Sequence, residues 1–222
     1  MALLDDDAKK HLKEQLKGLN GPVKLKLFTQ EFECQFCKET RELVAALGEA
    51  SELVKVEVYD FVKDKDTAGW YGIDKIPAIV VEGKEDYGIR FFGIPAGYEL
   101  NTLLEDIKMV STGKHGLKAE TVKALNELKN PVHIKVFVTL TCPYCPAAVH
   151  MAHKMAFASP LVKAEMIESA EFPHLANRYG VMSVPRVFLN EKNDFTGALP
   201  EKAFLNFVLQ AAEKAEESKK SS

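Results

Sequence analysis

The chain has 222 residues, of which 46% are hydrophobic and 27% charged, a composition typical of a folded globular protein. This length suits one large domain or two domains of about 110 residues. The formal net charge is −3 and no basic stripe is present, so nucleic acid is not expected as a partner. No run of about 18 apolar residues occurs, which predicts no membrane contact. The acidic segment 1–10 lacks a signal-peptide core, so we expect a cytoplasmic protein.

Helices and strands alternate in the predicted secondary structure of the first half. Apolar residues at helical spacing predict amphipathic helices, and short β-rich runs predict strands. In chain order, the predicted elements are a helix marked by Leu12, Leu16 and Leu19, a strand over 22–28, a helix from Cys34 and Cys37 to about Ala50, strands over 55–60, 78–82 and 89–92, and a helix over 100–110. The small, polar segment 111–116 is expected to be a linker.

The second half repeats this order of elements. Its predicted elements are a helix marked by Val122, Leu125 and Leu128, a strand over 131–137, a helix from Cys142 and Cys145 to about Ala158, strands over 163–168, 186–189 and 194–196, and a helix over 201–215. Alternating strands and helices predict an α/β fold in which helices flank a mixed central sheet.

Two motifs recur at the same spacing in both halves. Each half has a Cys-X-X-Cys pair and, 43 positions after its first cysteine, a proline that follows an apolar residue. These dipeptides are Ile76-Pro77 and Val184-Pro185. A strand, a cysteine pair and a proline in one register twice indicate a duplicated unit. We therefore predict two domains, residues 1–113 and 114–222.

The four cysteines predict redox chemistry. A thiol attacks a disulfide only as the thiolate, and a helix N-terminus stabilises that anion. The first cysteine of each pair follows a strand and is expected at the start of a helix. We therefore predict Cys34 and Cys142 as nucleophiles, and Cys37 and Cys145 as the residues that resolve the mixed disulfide.

The two cysteine pairs are expected to differ in reactivity. Pro143 suits the first position of a helix, and no acid closely flanks the C-terminal pair. The N-terminal pair instead has Glu31 and Glu33 beside it, which oppose a thiolate, although Lys38 and Arg41 favour it. We predict that the C-terminal pair is the more reactive one.

Pro77 and Pro185, one in each half, are further candidate site residues. An Xaa-Pro bond adopts the cis form at modest cost, and proline lacks an N–H that could continue a sheet. Placed opposite the cysteines, each proline would leave the backbone of Ile76 or Val184 free to pair with an extended substrate. For one proline alone, an ordinary turn before a strand would be the simpler interpretation.

A zinc site is the structural alternative for four cysteines. The ligand pairs of such sites usually lie within about 20 residues of each other, whereas these pairs are separated by more than one hundred positions. We therefore predict no metal.

Around the second pair, the residues Cys-Pro-Tyr-Cys and Tyr-Gly-Val-Met-Ser-Val-Pro-Arg-Val-Phe-Leu resemble the thioredoxin/glutaredoxin superfamily. Two such units in one chain, with Cys-Gln-Phe-Cys in the first, resemble the glutaredoxin-like protein disulfide oxidoreductases of thermophilic archaea and bacteria. This resemblance implies two tandem thioredoxin-like units that act on protein disulfides with redox-active disulfides and no other cofactor. It assigns the redox role to the four cysteines and the cis-proline role to Pro77 and Pro185.

The sequence departs from the superfamily pattern at two places. Segment 195–200 lacks the Gly-Gly and acidic residue of glutathione-binding glutaredoxins. Phe28 and Val136 stand where thioredoxins have a buried aspartate six residues before the first cysteine. Glu57 and Glu165 are weak candidates for a substitute proton relay, since strand glutamates more often face solvent.

We therefore predict an enzyme that catalyses reduction, oxidation and isomerisation of protein disulfides, with a thioredoxin reductase-type electron donor as partner. An alternative is a dedicated electron carrier from such a reductase to a peroxidase or a ribonucleotide reductase. A peptide-binding or chaperone module is a third interpretation, but it would not need the cysteines.

Overall fold

A computed structural model of the chain describes residues 6–191 and 193–220, with side chains described up to residue 215. Over these residues, helices and strands follow one another in the predicted alternation. The elements are α1 (Asp6–Gln15), β1 (Val23–Thr29), α2 (Cys37–Ala50), β2 (Val54–Asp60), α3 (Lys65–Tyr71), β3 (Ala78–Glu82), β4 (Asp86–Phe92), α4 (Glu99–Thr112), α5 (Ala119–Asn126), β5 (Val132–Val138), α6 (Cys145–Ala158), β6 (Val162–Glu168), α7 (Pro173–Arg178), β7 (Arg186–Leu189), β8 (Asn193–Thr196) and α8 (Glu201–Lys220).

The described strands form one sheet in the order β2-β1-β3-β4-β6-β5-β7-β8. In the first half, β1 is parallel to β2 and antiparallel to β3, and in the second half β5 has the same relation to β6 and β7. The predicted α/β fold with a repeated unit and a mixed sheet is thus confirmed. The two four-stranded sheets are in addition joined side by side, because β4 pairs in parallel with β6.

The junction between the two halves is part of the hydrophobic core. Ile89 pairs with Ala164 and Phe91 with Met166 across β4 and β6, and all four side chains have no solvent exposure. An apolar strand edge left open would invite pairing with another chain. Joining β4 to β6 covers one such edge of each half.

Alternating side chains divide the strands between two helical layers. Leu27 and Val136 face the layer that contains α1, α2, α4, α5, α6 and α8. Phe28 and Phe137 face the opposite layer, which contains the short helices α3 and α7. Consequently α2 and α6, the helices that begin in the two cysteine pairs, lie on the same face of the sheet.

Both cysteine pairs also lie at the same edge of the sheet. Strands β1 and β5 run in the same direction, and each leads into a cysteine pair at its carboxyl end. Three strands separate them in the sheet, which corresponds to roughly 19 Å at the usual spacing of neighbouring strands. The two disulfides therefore lie on the same side of the molecule and are too far apart to contact each other.

The predicted linker begins later than expected, because the start of segment 111–116 is helical. Helix α4 continues to Thr112 and ends at Gly113, which has a left-handed φ of 73°. The hydroxyl of Ser111 accepts the N–H groups of Asn20 and Gly21 and donates to the carbonyl of Gly21. These hydrogen bonds connect the last turn of α4 to the turn before β1.

Among the helices of the described part of the chain, none has the length and apolar character required to cross a bilayer.

Candidate redox sites

At the C-terminal site, the disulfide lies at the start of α6. Cys142 and Cys145 are joined with a Cα–Cα distance of 5.5 Å. Cys142 is 8% exposed, whereas Cys145 is fully buried. The N–H of Cys145 donates to the Sγ of Cys142 at 3.1 Å. A backbone donor at a helix N-terminus stabilises negative charge on the sulfur that it contacts.

Helix α6 begins at the second cysteine rather than at the first. The N–H of Cys142 bonds to the carbonyl of Thr139, so the first cysteine belongs to the turn before the helix. Pro143, which was expected at the first helical position, also precedes the helix, and Pro146 occupies its first turn instead. The first cysteine can therefore receive the free N–H of the second.

The N-terminal site has the same disulfide in a different environment. Cys34 and Cys37 are joined with a Cα–Cα distance of 5.5 Å, and α2 begins at Cys37. Cys34 is half-buried and Cys37 is 1% exposed. Within the described residues, no N–H donates to the Sγ of Cys34 as it does at the other site. Glu31 and Glu33, expected to oppose a thiolate, are exposed beside it.

Both candidate prolines lie at this edge of the sheet, where β1 and β5 end. The Ile76–Pro77 and Val184–Pro185 peptide bonds are cis. Each proline carbonyl accepts an N–H from a glycine, Gly93 in one half (2.9 Å) and Gly197 in the other (2.8 Å). Within the described chain, no backbone bond uses the N–H of the residue before either proline. This N–H is therefore available to an extended ligand.

Large apolar side chains are exposed in the segments that surround the cysteines. Tyr144 lies between the C-terminal cysteines and is 71% exposed, and Met182, two residues before Val184, is 94% exposed. Phe32 precedes the N-terminal pair and is 79% exposed. Exposed apolar groups grouped in this way are typical of surfaces that bind other proteins.

A buried glutamate of the first half follows a loop that contacts the second redox site. The N–H of Tyr98 donates to the carbonyl of Leu140, in the loop that leads to Cys142. The next residue, Glu99, begins α4 and has no solvent exposure. Its Oε2 accepts the hydroxyl of Thr102 at 2.7 Å, while its Oε1 has no partner within the described residues. Helix α4 packs along α6, and Asp106, two turns after Glu99, contacts His150 and His153 of α6. Helical spacing therefore places Glu99 toward the start of α6.

Glu99 has the acid–base properties that such a site requires. The pKa of its carboxyl is raised to about 7, mainly by burial; the Thr102 hydrogen bond acts to lower the pKa and the charge of Asp106 acts to raise it. A carboxyl with a pKa near neutrality both accepts and releases protons at physiological pH. Sequence reasoning missed this residue, because a glutamate in the first turn of a helix is an ordinary feature and its burial depends on the other half.

The two glutamates that the sequence suggested as proton relays lie elsewhere. Glu57 and Glu165 are on the face of the sheet opposite to α2 and α6. Glu57 accepts a hydrogen bond from Lys26 at 2.5 Å, and the Oε1 of Glu165 lies 2.6 Å from the Nε2 of His133. Glu165 is 7% exposed, so it is not the solvent-facing residue expected of a strand glutamate. Both carboxyls are engaged by side chains of the neighbouring strand.

A second carboxyl with a raised pKa lies where the halves meet. Glu171 follows β6 and accepts the N–H of Ile94 at 2.6 Å, next to the glycine that bonds Pro77. Burial raises its pKa to about 7, and the charges of Glu168 and Glu39 act in the same direction.

The described residues contain no cluster of histidine, cysteine and acidic side chains suited to a metal ion.

We expect Gly97→Ala to destabilise the protein by about 2–4 kcal/mol, because Gly97 holds the loop before Glu99 against the loop before Cys142. Its φ is 58°, and a Cβ would lie 2.4 Å from the carbonyl oxygen of Leu140. Gly113→Ala is the matched control, since φ is 73° there but nothing lies within 4 Å. Left-handed backbone alone costs about 1 kcal/mol. Equal losses in urea unfolding of the two variants would contradict the proposed close contact.

Comparison with known proteins agrees with this geometry. A thioredoxin domain family model matches residues 132–210. The crystal structure of a protein disulfide oxidoreductase from Aeropyrum pernix superimposes with a TM-score of 0.91 and 34% identity, over 96% of this chain and 95% of that one. The N-terminal domain of the alkyl hydroperoxide reductase AhpF from Enterococcus faecalis superimposes with a TM-score of 0.85 and 25% identity, over 92% of this chain and 99% of that one.

Curated relatives include the alkyl hydroperoxide reductase AhpF of Staphylococcus aureus, which is 26% identical over 215 residues. This match covers 96% of the present chain but only 39% of that protein. Tandem thioredoxin-like units with two Cys-X-X-Cys disulfides define a thioredoxin-type thiol–disulfide oxidoreductase. The chain belongs to the family of protein disulfide oxidoreductases that includes the Aeropyrum pernix protein.

Proposed function

We propose that this protein catalyses dithiol–disulfide exchange on protein substrates, and thereby reduces, oxidises and isomerises their disulfides. Cys34 and Cys142 are the nucleophiles, and Cys37 and Cys145 resolve the mixed disulfides. The observation that carries the proposal is the hydrogen bond from the N–H of Cys145 to the Sγ of Cys142. It presents the more exposed sulfur of the pair to a donor that stabilises its anion.

In the reducing direction, the Cys142 thiolate attacks a substrate disulfide, forms a mixed disulfide and releases one substrate thiolate. Cys145 then transfers its thiol proton to the Glu99 carboxylate and attacks the Sγ of Cys142. This closes the enzyme disulfide and releases the second substrate sulfur. The substrate gains the two electrons that the enzyme dithiol loses. The reverse sequence oxidises a substrate dithiol, with protonated Glu99 supplying the proton to the leaving Cys145.

The substrate chain binds in extended form beside the cis-prolines. The backbone of Ile76 binds substrates of the N-terminal site, and that of Val184 binds substrates of the C-terminal site, next to Pro77 and Pro185. Main-chain pairing of this kind is independent of substrate sequence, since side chains need not take part. It suits an enzyme that acts on many proteins.

A flavin-dependent reductase of the thioredoxin reductase type is the proposed electron donor. The likeness to the alkyl hydroperoxide reductase AhpF also supports a second candidate function, in which this chain passes electrons from such a reductase to one peroxidase or reductase. In both functions the redox-active disulfides carry the electrons. We place the boundary between the two domains at residues 113 and 114, and the protein in the cytoplasm.

Reduction of insulin by the protein, with dithiothreitol as donor, tests the proposed activity. We expect catalysis by the wild-type protein and none by a variant with all four cysteines changed to serine, since exchange requires a sulfur nucleophile. The same assay with NADPH and a thioredoxin reductase tests the donor. Transfer of electrons to a peroxidase, together with no reaction on insulin, would favour the carrier function instead.

A further inference from the structure

Helices α4 and α6 are linked by a buried carboxylate that holds two histidines. The Oδ1 of Asp106, on α4, lies 2.8 Å from the Nδ1 of His150, and its Oδ2 lies 2.5 Å from the Nδ1 of His153, both on α6. Asp106 and His153 have no exposed side-chain surface, whereas that of His150 is 22% exposed. Burial acts to raise the pKa of Asp106, but the two histidines hold it below its usual range. Because an ionised carboxylate only accepts hydrogen bonds, both Nδ1 atoms carry a hydrogen.

Among the described groups, Glu99 shares the buried face of α4 with this cluster. The strands beneath α4 and α6 present apolar side chains, among them Ile79 of β3 and Phe91 of β4, whose ring lies 4.9 Å from that of His153. On the solvent side of α4, Lys108 pairs with Glu105 and bonds Gln15 of α1. Glu105 is exposed and Lys108 is half-buried, so water and salt screen both charges.

Asp106 follows Glu99 by seven residues, which is two helical turns or about 10 Å along the same face of α4. Low polarity between the two carboxyls allows the charge of one to act on the other. Glu99 and His153 each also have a buried atom without a partner in the described chain, Oε1 and Nε2 respectively. His150 is the member of the cluster that reaches solvent.

We propose that Asp106, together with His150 and His153, forms a positioning cluster that sets the charge of Glu99 and thereby the pH range in which the Cys142–Cys145 site works. This inference rests on the proposed function, in which Glu99 exchanges a proton with Cys145. The Asp106 carboxylate favours the protonated form of Glu99, because a second negative charge in the same buried region is unfavourable. The hydrogen bonds of His150 and His153 keep Asp106 ionised and thereby maintain this effect.

The charge of Glu99 can be measured directly. The full-length protein in its disulfide form is labelled with ¹³C-glutamate, and its carboxyl resonances are followed by NMR as a function of pH. Loss of one resonance in Glu99→Gln assigns the signal. The variant is Asp106→Asn, which keeps the shape of the side chain but removes its charge. Glu105→Gln is the matched control, since it removes one charge from the exposed side of the same helix.

We expect the titration midpoint of Glu99 to fall by about one pH unit in Asp106→Asn, the effect of one charge at this separation in a protein interior. The control should leave the midpoint unchanged. A midpoint that stays the same or rises in Asp106→Asn would overturn the inference, as would an equal fall in Glu105→Gln.

Asp106→Ser tests the inference if Asp106→Asn does not fold. Serine removes the charge but still accepts a hydrogen bond from a histidine, so the Glu99 midpoint should again fall. An unchanged or raised midpoint would then overturn the inference. The titration requires no turnover. Failure of the insulin assay would therefore contradict the proposed function without deciding this question.

Discussion

Removing the C-terminal cysteine pair is expected to slow insulin reduction at least about tenfold, whereas removing the N-terminal pair should slow it only about two- to threefold. The amide of Cys145 donates to the Sγ of Cys142, and Cys34 has no such donor within the described residues. A hydrogen bond to a charged group contributes about 1.5–3 kcal/mol, and 1.4 kcal/mol corresponds to about a factor of ten in rate. Glu31 and Glu33 disfavour the thiolate at the N-terminal pair.

The two double variants, Cys142→Ser with Cys145→Ser and Cys34→Ser with Cys37→Ser, are compared at equal concentration. Each serves as the control for the other, because both lose one disulfide of the same loop size. Far-UV circular dichroism verifies folding. Iodoacetamide alkylation of the reduced proteins then compares the two nucleophiles directly. The ranking is wrong if the variant that retains only the N-terminal pair is the faster catalyst.

Replacing Glu99 by glutamine is expected to slow exchange at the C-terminal pair about one hundredfold, the lower end of the usual contribution of a general acid or base. The amide matches the carboxyl in shape but neither accepts nor releases the proton of Cys145. The measurement is the insulin reduction rate between pH 5.5 and 9 in the background of Cys34→Ser and Cys37→Ser. The pH dependence centred near pH 7, where the pKa of Glu99 lies, should disappear.

The same substitution should make the protein more stable above pH 7. The pKa of Glu99 is raised from 4.5 to about 7, so the folded state keeps a proton that the unfolded state loses in this range. Stability is therefore complete below pH 4.5 and falls as the pH rises toward 7. Glu99→Gln removes this loss and should gain about 3 kcal/mol at pH 8 in urea unfolding, with little change at pH 4. Slower catalysis without this gain would mean that the carboxyl is not buried as described.

Much of the local structure follows from the sequence, because it is encoded by short-range patterns. The alternation of apolar and polar residues predicts β1 and β5, and the two strands that follow each proline are found at or near their predicted ends. The resemblance to the superfamily assigned the cis-proline role to Pro77 and Pro185, and both peptide bonds are cis. The short helices α3 and α7 were not predicted, since with 7 and 6 residues they are too short to show helical periodicity, and α3 contains Gly69. Their stability comes from packing on the sheet rather than from helical periodicity.

By itself, the sequence determined that the chain is a duplicated α/β unit with a cysteine pair at the end of one strand in each half. Only the tertiary structure decided how the halves meet. Pairing of β4 with β6 is a contact between residues more than seventy positions apart, such as Phe91 and Met166, and no local pattern encodes it. That pairing brings α4 of the first half onto α6 of the second, which buries Glu99 next to the loop that leads to Cys142, 43 positions further along the chain. Burial raises the pKa of this carboxyl, and burial is a property of the whole fold.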